Sequence, residues 1–315
     1  MSNSNKIKDN KLEDMILIIV MSIYAIFGMY YIPYMLVLFP VPFVIYGMKN
    51  GITRNIMNLI VTCIIVGIAE SIEYGLLLLI MFTPGTLLFY YLIKKRKRPM
   101  EIIGIVTITF FISILIILGF VNTLGIDFMT ELENEIHEMF ESQIESIEDM
   151  DFTSYEFAKE QDLLEERYEL SLLIIPSVLF VLSLIASYLN YLLISFGLRK
   201  LDINIITRPK FSNFRLPDNI VLGLITMFIG IFIMEKMDLG YTDVIIINLV
   251  TLISLMFSIQ GLAVLDYFLG RFNIFPLIRF ITYLMLLFNS AMVIMLTIVG
   301  FIDTIFDLRK RKNKS

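Results

Sequence analysis

The chain has 315 residues, 57% hydrophobic and 17% charged, with 25 Lys and Arg against 30 Asp and Glu and a mean hydropathy of +0.81. Soluble domains are less apolar and more charged; 9 prolines, 16 glycines and a single cysteine exclude collagenous, disordered and disulfide-stapled chains as well. Cys63 lies inside an apolar run, so no intramolecular disulfide can form.

The apolar residues fall in long continuous runs. A hydrocarbon core ~30 Å thick takes about 20 mostly apolar residues in helical form. Only a helix satisfies its backbone within such a segment. Nine stretches qualify as candidate spans: Met15–Ile32, Pro33–Tyr46, Ile56–Ala69, Gly75–Ile93, Ile102–Val121, Leu172–Phe196, Pro217–Met234, Asp243–Leu269 and Phe275–Leu308. No A-x-A-like cleavage site follows the first, which reads as a retained span. Pro33, Pro40 and Pro42 distort the second, and Pro84-Gly85 is expected to kink or interrupt the fourth. The last stretch is long enough for two short helices turning near Asn289-Ser290, which raises the count to ten.

Charge orients these spans. Lys and Arg stay on the cytoplasmic side. The strongest marker is Lys94 to Arg98; the others are the stretch from Arg199 to Arg215 and the tail from Arg309 to Lys314. With ten helices, 22 of the 25 basic residues and both termini lie inside. Their place beside the spans suits anionic lipid, and no nucleic-acid partner is expected.

Asp127 to Glu169 carries 16 acids against Lys159 and Arg167. Leu132, Ile136, Met139, Phe140, Gln143, Ile144 and Ile147 recur at helical spacing, which predicts an amphipathic helix. Asp149 to Phe152 reads as a turn. Thr153 with Glu156 has the capping-box pattern for a second helix running straight into the Leu172–Phe196 span. The expected product is an extracytoplasmic acidic helical hairpin, a solvated cap or a lid for a cation or partner. Metal is not expected: His137 is the only histidine, and no EF-hand spacing occurs.

Ionisable groups at membrane depth are costly and mark cavities or partners. Glu70 and Glu73, at i, i+3, are expected on one face of a helix end, where they either bind a cation, a proton or a basic solute or simply mark the end of the span. Gln260 needs a hydrogen-bond partner, Gly261 permits close helix approach, and Asp266 lies between Gln260 and Arg271. These read either as the polar lining of a solute cavity or as interhelical glue with a terminal Asp266–Arg271 pair. Asp303 and Asp307 share a face that Arg311 continues, which suits local pairing at a membrane exit. Asn190, Asn248 and Asn289 read as helix-packing groups. There is no H-E-x-x-H, G-x-S-x-G, Walker loop or paired-Cys motif. Catalytic residues and cofactors are accordingly expected to be none.

PVPFVIYGMKNG from Pro40, FRLPD from Phe214, QGLAVLDYFL from Gln260 and GFIDTIFDLRKR from Gly300 resemble the YybS-like family, bacterial multi-pass membrane proteins catalogued as a domain of unknown function. More distantly, the early Pro-bearing span and the turn with Gly47, Lys49 and Gly51 resemble substrate-binding components of energy-coupling-factor transporters, bundles of about six helices that bind a small molecule. The resemblance implies a bacterial cell membrane location. The expected organisation is all-α: N-terminal membrane helices over 1–126, the acidic hairpin over 127–170, C-terminal membrane helices over 171–308 and a basic tail over 309–315. The expected role is solute binding or permease-type transport at Gln260, Asp266, Glu70 and Glu73, without catalysis. The alternatives are a membrane scaffold or regulator acting through its loops and partner proteins, or a membrane-embedded enzyme.

Overall fold

In the computed structural model the described residues are 2–125, 127–148, 154–203, 211–217, 219–237, 240 and 242–309. The apolar runs close their backbones locally as helices, and no strand occurs among the described residues. In chain order these are α1 (Ser2–Tyr31), a 3₁₀ turn (Pro33–Leu38), α2 (Pro40–Asn50), α3 (Ile52–Ala69), α4 (Ile72–Lys94) and α5 (Pro99–Thr123). Then come α6 (Phe128–Glu148), α7 (Ser154–Leu173), α8 (Ile175–Lys200), a second 3₁₀ turn (Phe211–Asn213), α9 (Ile220–Lys236), α10 (Thr242–Arg271), α11 (Pro276–Leu287) and α12 (Ser290–Phe306).

Six of these are long and apolar enough to cross a membrane: α3, α4, α5, α8, α10 and the Lys11–Tyr31 part of α1. The pair α11–α12, bent by 109°, counts as a seventh if it forms one broken span. Among the described residues, the second and seventh of the nine stretches read from hydropathy form the shorter helices α2 and α9. The prolines account for the second stretch: Pro33 opens a 3₁₀ turn, and Pro40 starts an 11-residue helix. At 1.5 Å per residue α2 rises only ~16 Å. The 17 residues of α9 sit at the lower limit of a span.

Other local expectations met specific physics. The Phe275–Leu308 stretch does break at Phe288–Asn289, where the Asn289 side chain accepts from the Met292 N–H and starts α12. Asn289 is thus a cap rather than a packing group. Pro84 does not interrupt α4, which is continuous through it. The neighbouring Gly85 lets Phe110 of α5 sit where a Cβ would lie, 2.3 Å from the ring. The acidic insertion forms α6 and α7 as expected. The turn at Asp149–Phe152 and the Thr153–Glu156 capping pair lie outside the described residues. Asp127 precedes α6; hydrogen bonds from the Thr130 side chain and backbone N–H hold its carboxyl below the usual carboxylate range. α7 does not run unbroken into α8: the helix is interrupted at Ile174, two residues before Pro176, which has no N–H to offer.

The helices pack as two units, Met1–Glu141 with Val178–Arg208, and Ser142–Ser177 with Pro209–Ser315. In the first unit, Phe39, Phe43, Val44, Phe89, Phe110 and Tyr191 are fully buried, and the Phe39 ring lies 5.0 Å from Phe43 and 5.4 Å from Phe82. α3 and α4 meet closely at Gly67 and Gly75. From α8, Ser187 donates to the Ile103 carbonyl (2.9 Å) and Asn190 to the Val37 carbonyl (2.8 Å). In the second unit α10 is central, packed on α7, α9, α11, α12 and the second 3₁₀ turn. Asn248 accepts from the Ser177 N–H (2.9 Å) and donates to the Leu173 carbonyl (2.7 Å), tying α10 across the Ile174 break. Asn190 and Asn248 are the packing groups expected of them. Long apolar faces stay outside, such as Ile16, Ile19, Val20 and Ile23 on α1, as a lipid-facing surface requires.

Candidate functional site

The polar residues at depth sort into separate clusters, beginning with Gln260 in the middle of the second unit. α10 and α12 cross there in backbone contact. A Cβ on Gly261 would lie 2.1 Å from the Leu296 carbonyl oxygen, and one on Gly300 1.9 Å from that of Phe257. Side-chain hydroxyls continue the seam, with Ser258 and Thr297 2.7 Å apart. At the end of this seam α12 terminates because Asp307 takes a left-handed conformation (φ 48°, ψ 61°), and its N–H bonds to the Asp303 carbonyl. The chain turns back and places Arg309 on Asp303.

The resulting network is closed. The Gln260 amide donates to the Asp303 carboxylate and to the Thr304 hydroxyl, both at 2.9 Å, while its oxygen accepts from the Leu216 N–H at 2.9 Å. Arg309 donates through Nη2 to Asp303 at 2.6 Å and through Nη1 to the Ser212 carbonyl at 2.9 Å. The Asp303 and Arg309 side chains are 0% and 1% exposed. An amide has two donor hydrogens and an oxygen with two lone pairs; both hydrogens and one lone pair are used. Gln260 is therefore fully buried, with both amide hydrogens and its oxygen bonded to protein. Asp303 pairs with Arg309; the pairing expected of Arg311 lies outside the described residues. Asp307 pairs with Arg215 at 3.7 Å.

Asp266 belongs to a second cluster. Its carboxylate accepts from Arg279 (3.2 Å) and from the Tyr283 hydroxyl (2.7 Å), both on α11. The expected partner Arg271 is exposed at the end of α10. Arg279 and Tyr283 were legible as an i, i+4 pair, but nothing in sequence said which helix they would face.

Glu70 and Glu73 do not share one helix face. Ser71 takes an extended conformation (φ −158°, ψ 149°) and accepts from the Tyr74 N–H, so α3 ends at Ala69 and a new helix starts at Ile72. Glu70 accepts from the Tyr30 hydroxyl of α1 at 2.5 Å, and Glu73 lies exposed in the first turn of α4. Replacing Ser71 by Ala removes this cap. The expected cost is ~1 kcal/mol, seen as a lowered thermal midpoint of the purified protein in detergent.

One cluster escaped the sequence reading. Asp14, one residue ahead of the first apolar stretch, accepts from the Tyr46 hydroxyl of α2 and from the Asn58 amide of α3 at 2.7 Å. Glu13 beside it pairs with Lys49 at 2.7 Å. Asn55, Asn58 and Thr62 on α3 are buried. Their i, i+3, i+7 spacing was the available signal. Among the described residues, no group of three or more His, Cys, Asp and Glu could hold a metal ion; His137 lies 3.1 Å from Glu141 on the exposed face of α6.

The family described as "Predicted membrane protein (DUF2232)" matches residues 15–304. The chain is also similar to the uncharacterized protein YybS of Bacillus subtilis (strain 168), with 21% identity over 273 residues, 86% of this chain and 87% of that protein. No solved structure matches.

Proposed function

The chain belongs to the DUF2232 family of predicted membrane proteins, and from that premise we propose that it is a non-catalytic membrane scaffold or regulator whose surface, not its interior, engages partners. The observation behind this reading is the closed bonding of Gln260. A solute site needs polar groups free to meet a ligand, whereas Gln260 and Asp303 are fully buried and bonded to one another and to Thr304, Leu216 and Arg309. In this reading the intramembrane polar residues hold helices together. The partner-facing features are the basic loop Lys94–Arg98, on the cytoplasmic side with both termini, and the acidic α6 and α7 on the other.

The test is cross-linking in intact membranes followed by affinity purification of three forms: wild type, Gln260→Leu, and a form with Lys94, Lys95, Arg96, Lys97 and Arg98 all changed to Gln. The expected result is one set of partner proteins held by the first two and lost by the third. Loss of that set only in Gln260→Leu, or no enrichment with wild type, defeats the reading.

Solute binding in the first unit is the second reading. That unit contains α1 to α5 with most of α6 and most of α8, and its Pro-bearing start is the ground for setting it beside the energy-coupling-factor components. A saturable rise in thermal midpoint with one small vitamin-like molecule would favour it over the scaffold.

A further inference from the structure

An open groove of about 530 Å³ lies where the start of α3 meets the end of α4, lined by Ile52, Leu87, Tyr90, Tyr91, Lys94 and Lys95. Its walls are almost wholly apolar, and the lysines that line it stand at its end nearest the α4 C-terminus. That end is built by the last turn of α4. Lys94 Nζ lies 3.2 Å from the Tyr90 hydroxyl, and Lys95 Nζ sits 4.3 Å from the centre of the Tyr91 ring. Both ammonium groups are exposed, and neither has a carboxylate partner among the described residues. The next base, Lys97, is paired with Glu101 at 2.6 Å.

Two chemistries therefore meet in one place. An aliphatic and aromatic trough runs along a membrane-spanning helix, and two unneutralised cations cap it where the helix leaves the apolar layer. Tyr and Lys at a span end mark the depth of lipid headgroups. A soluble anion satisfies only the lysines, and a neutral acyl chain only the trough. We propose that the groove holds one anionic glycerophospholipid, with an acyl chain against Ile52, Leu87 and Tyr91 and its phosphate between Lys94 and Lys95. Charge complementarity selects the anionic headgroup. The two tyrosines hold the lysine stems in place, so the site is set before the lipid arrives. This inference shares Lys94 and Lys95 with the scaffold reading but is read out separately, because lipid retention by the purified chain needs no protein partner.

The experiment is native mass spectrometry of the full chain, purified in mild detergent and incubated with phosphatidylglycerol or phosphatidylcholine. Wild type is expected to retain one phosphatidylglycerol about tenfold better than phosphatidylcholine, since each base near an anionic surface contributes on the scale that two together make at least tenfold. K94Q/K95Q loses the preference, K94R/K95R keeps it, and Lys236→Gln, far along the chain, leaves it unchanged. Both lysines are exposed, and an unaltered thermal midpoint shows that the variants fold. Equal retention of the two lipids, an undiminished preference in K94Q/K95Q, or displacement of the lipid by millimolar inorganic phosphate overturns the proposal.

Discussion

Gly300→Ala is expected to separate α10 from α12 and to lower the thermal midpoint more than any other single methyl addition in the second unit. A Cβ at this position would lie 1.9 Å from the Phe257 carbonyl oxygen and 2.8 Å from the Gly261 N. These are backbone atoms of α10, and no rotamer change can move them away. The whole helix must shift, and the shift opens the reciprocal contact at Gly261. Overpacking costs ~1–3 kcal/mol where side chains can adjust; with backbone on both sides the expected cost is at the upper end, about 3 kcal/mol. Gly104→Ala and Gly230→Ala are the controls. A Cβ meets nothing within 4 Å at either position, both lie inside helices, and Ala is better than Gly in a helix by ~1 kcal/mol. They should leave stability unchanged or raise it. Thermal and SDS-induced unfolding of the three variants in one detergent measures the contrast, and a Gly300→Ala protein as stable as the controls would show that the helices do not cross there.

Arg309→Met is expected to be the most damaging change near the second 3₁₀ turn. It leaves the Asp303 carboxylate, itself 0% exposed, with no cation. It also frees the Ser212 carbonyl. Removing one partner of a buried pair costs ~3–5 kcal/mol, because the remaining charge stays desolvated. The double variant D303N/R309M removes both charges while keeping an acceptor for the Gln260 amide. It should recover much of the loss. A double-mutant cycle of unfolding midpoints reads the coupling directly. Additive losses from Asp303→Asn and Arg309→Met would mean that the two side chains are not paired. The same network predicts that Gln260→Leu weakens the hold on Leu216, an effect smaller than loss of the charge.

Much of the polar architecture could be located in the sequence without being understood there. Gln260, Asp266 and Asp303 stand out because a lipid environment makes each of them expensive. The price is visible in one dimension, but the identity of the group that meets it is not. Asp266 and Arg271 looked like natural partners from five residues apart, yet the end of α10 turns Arg271 outward and a turn of chain delivers Arg279 instead. Asp303 is answered by Arg309 only because Asp307 adopts a left-handed cap, which nothing in DLRKR announces. Glu70 and Glu73 were placed on one helix because their spacing fits one. The hydroxyl of Ser71 split them by offering an N-cap, a choice that depends on how α3 and α4 come together at Gly67 and Gly75.

By itself the amino-acid sequence determined that the protein is an all-helical membrane protein. It also marked the acidic helical insertion and the break at Asn289. These are properties of local hydropathy and local backbone chemistry, and they do not depend on what lies across the bundle. Only the tertiary structure decided which polar groups face one another, how many helices are long enough to cross, and that the chain packs as two units whose boundaries cut across chain order. The physical reason is range: a hydrogen bond between Gln260 and Asp303 spans 43 positions of sequence, and its existence depends on two glycines that let two backbones touch.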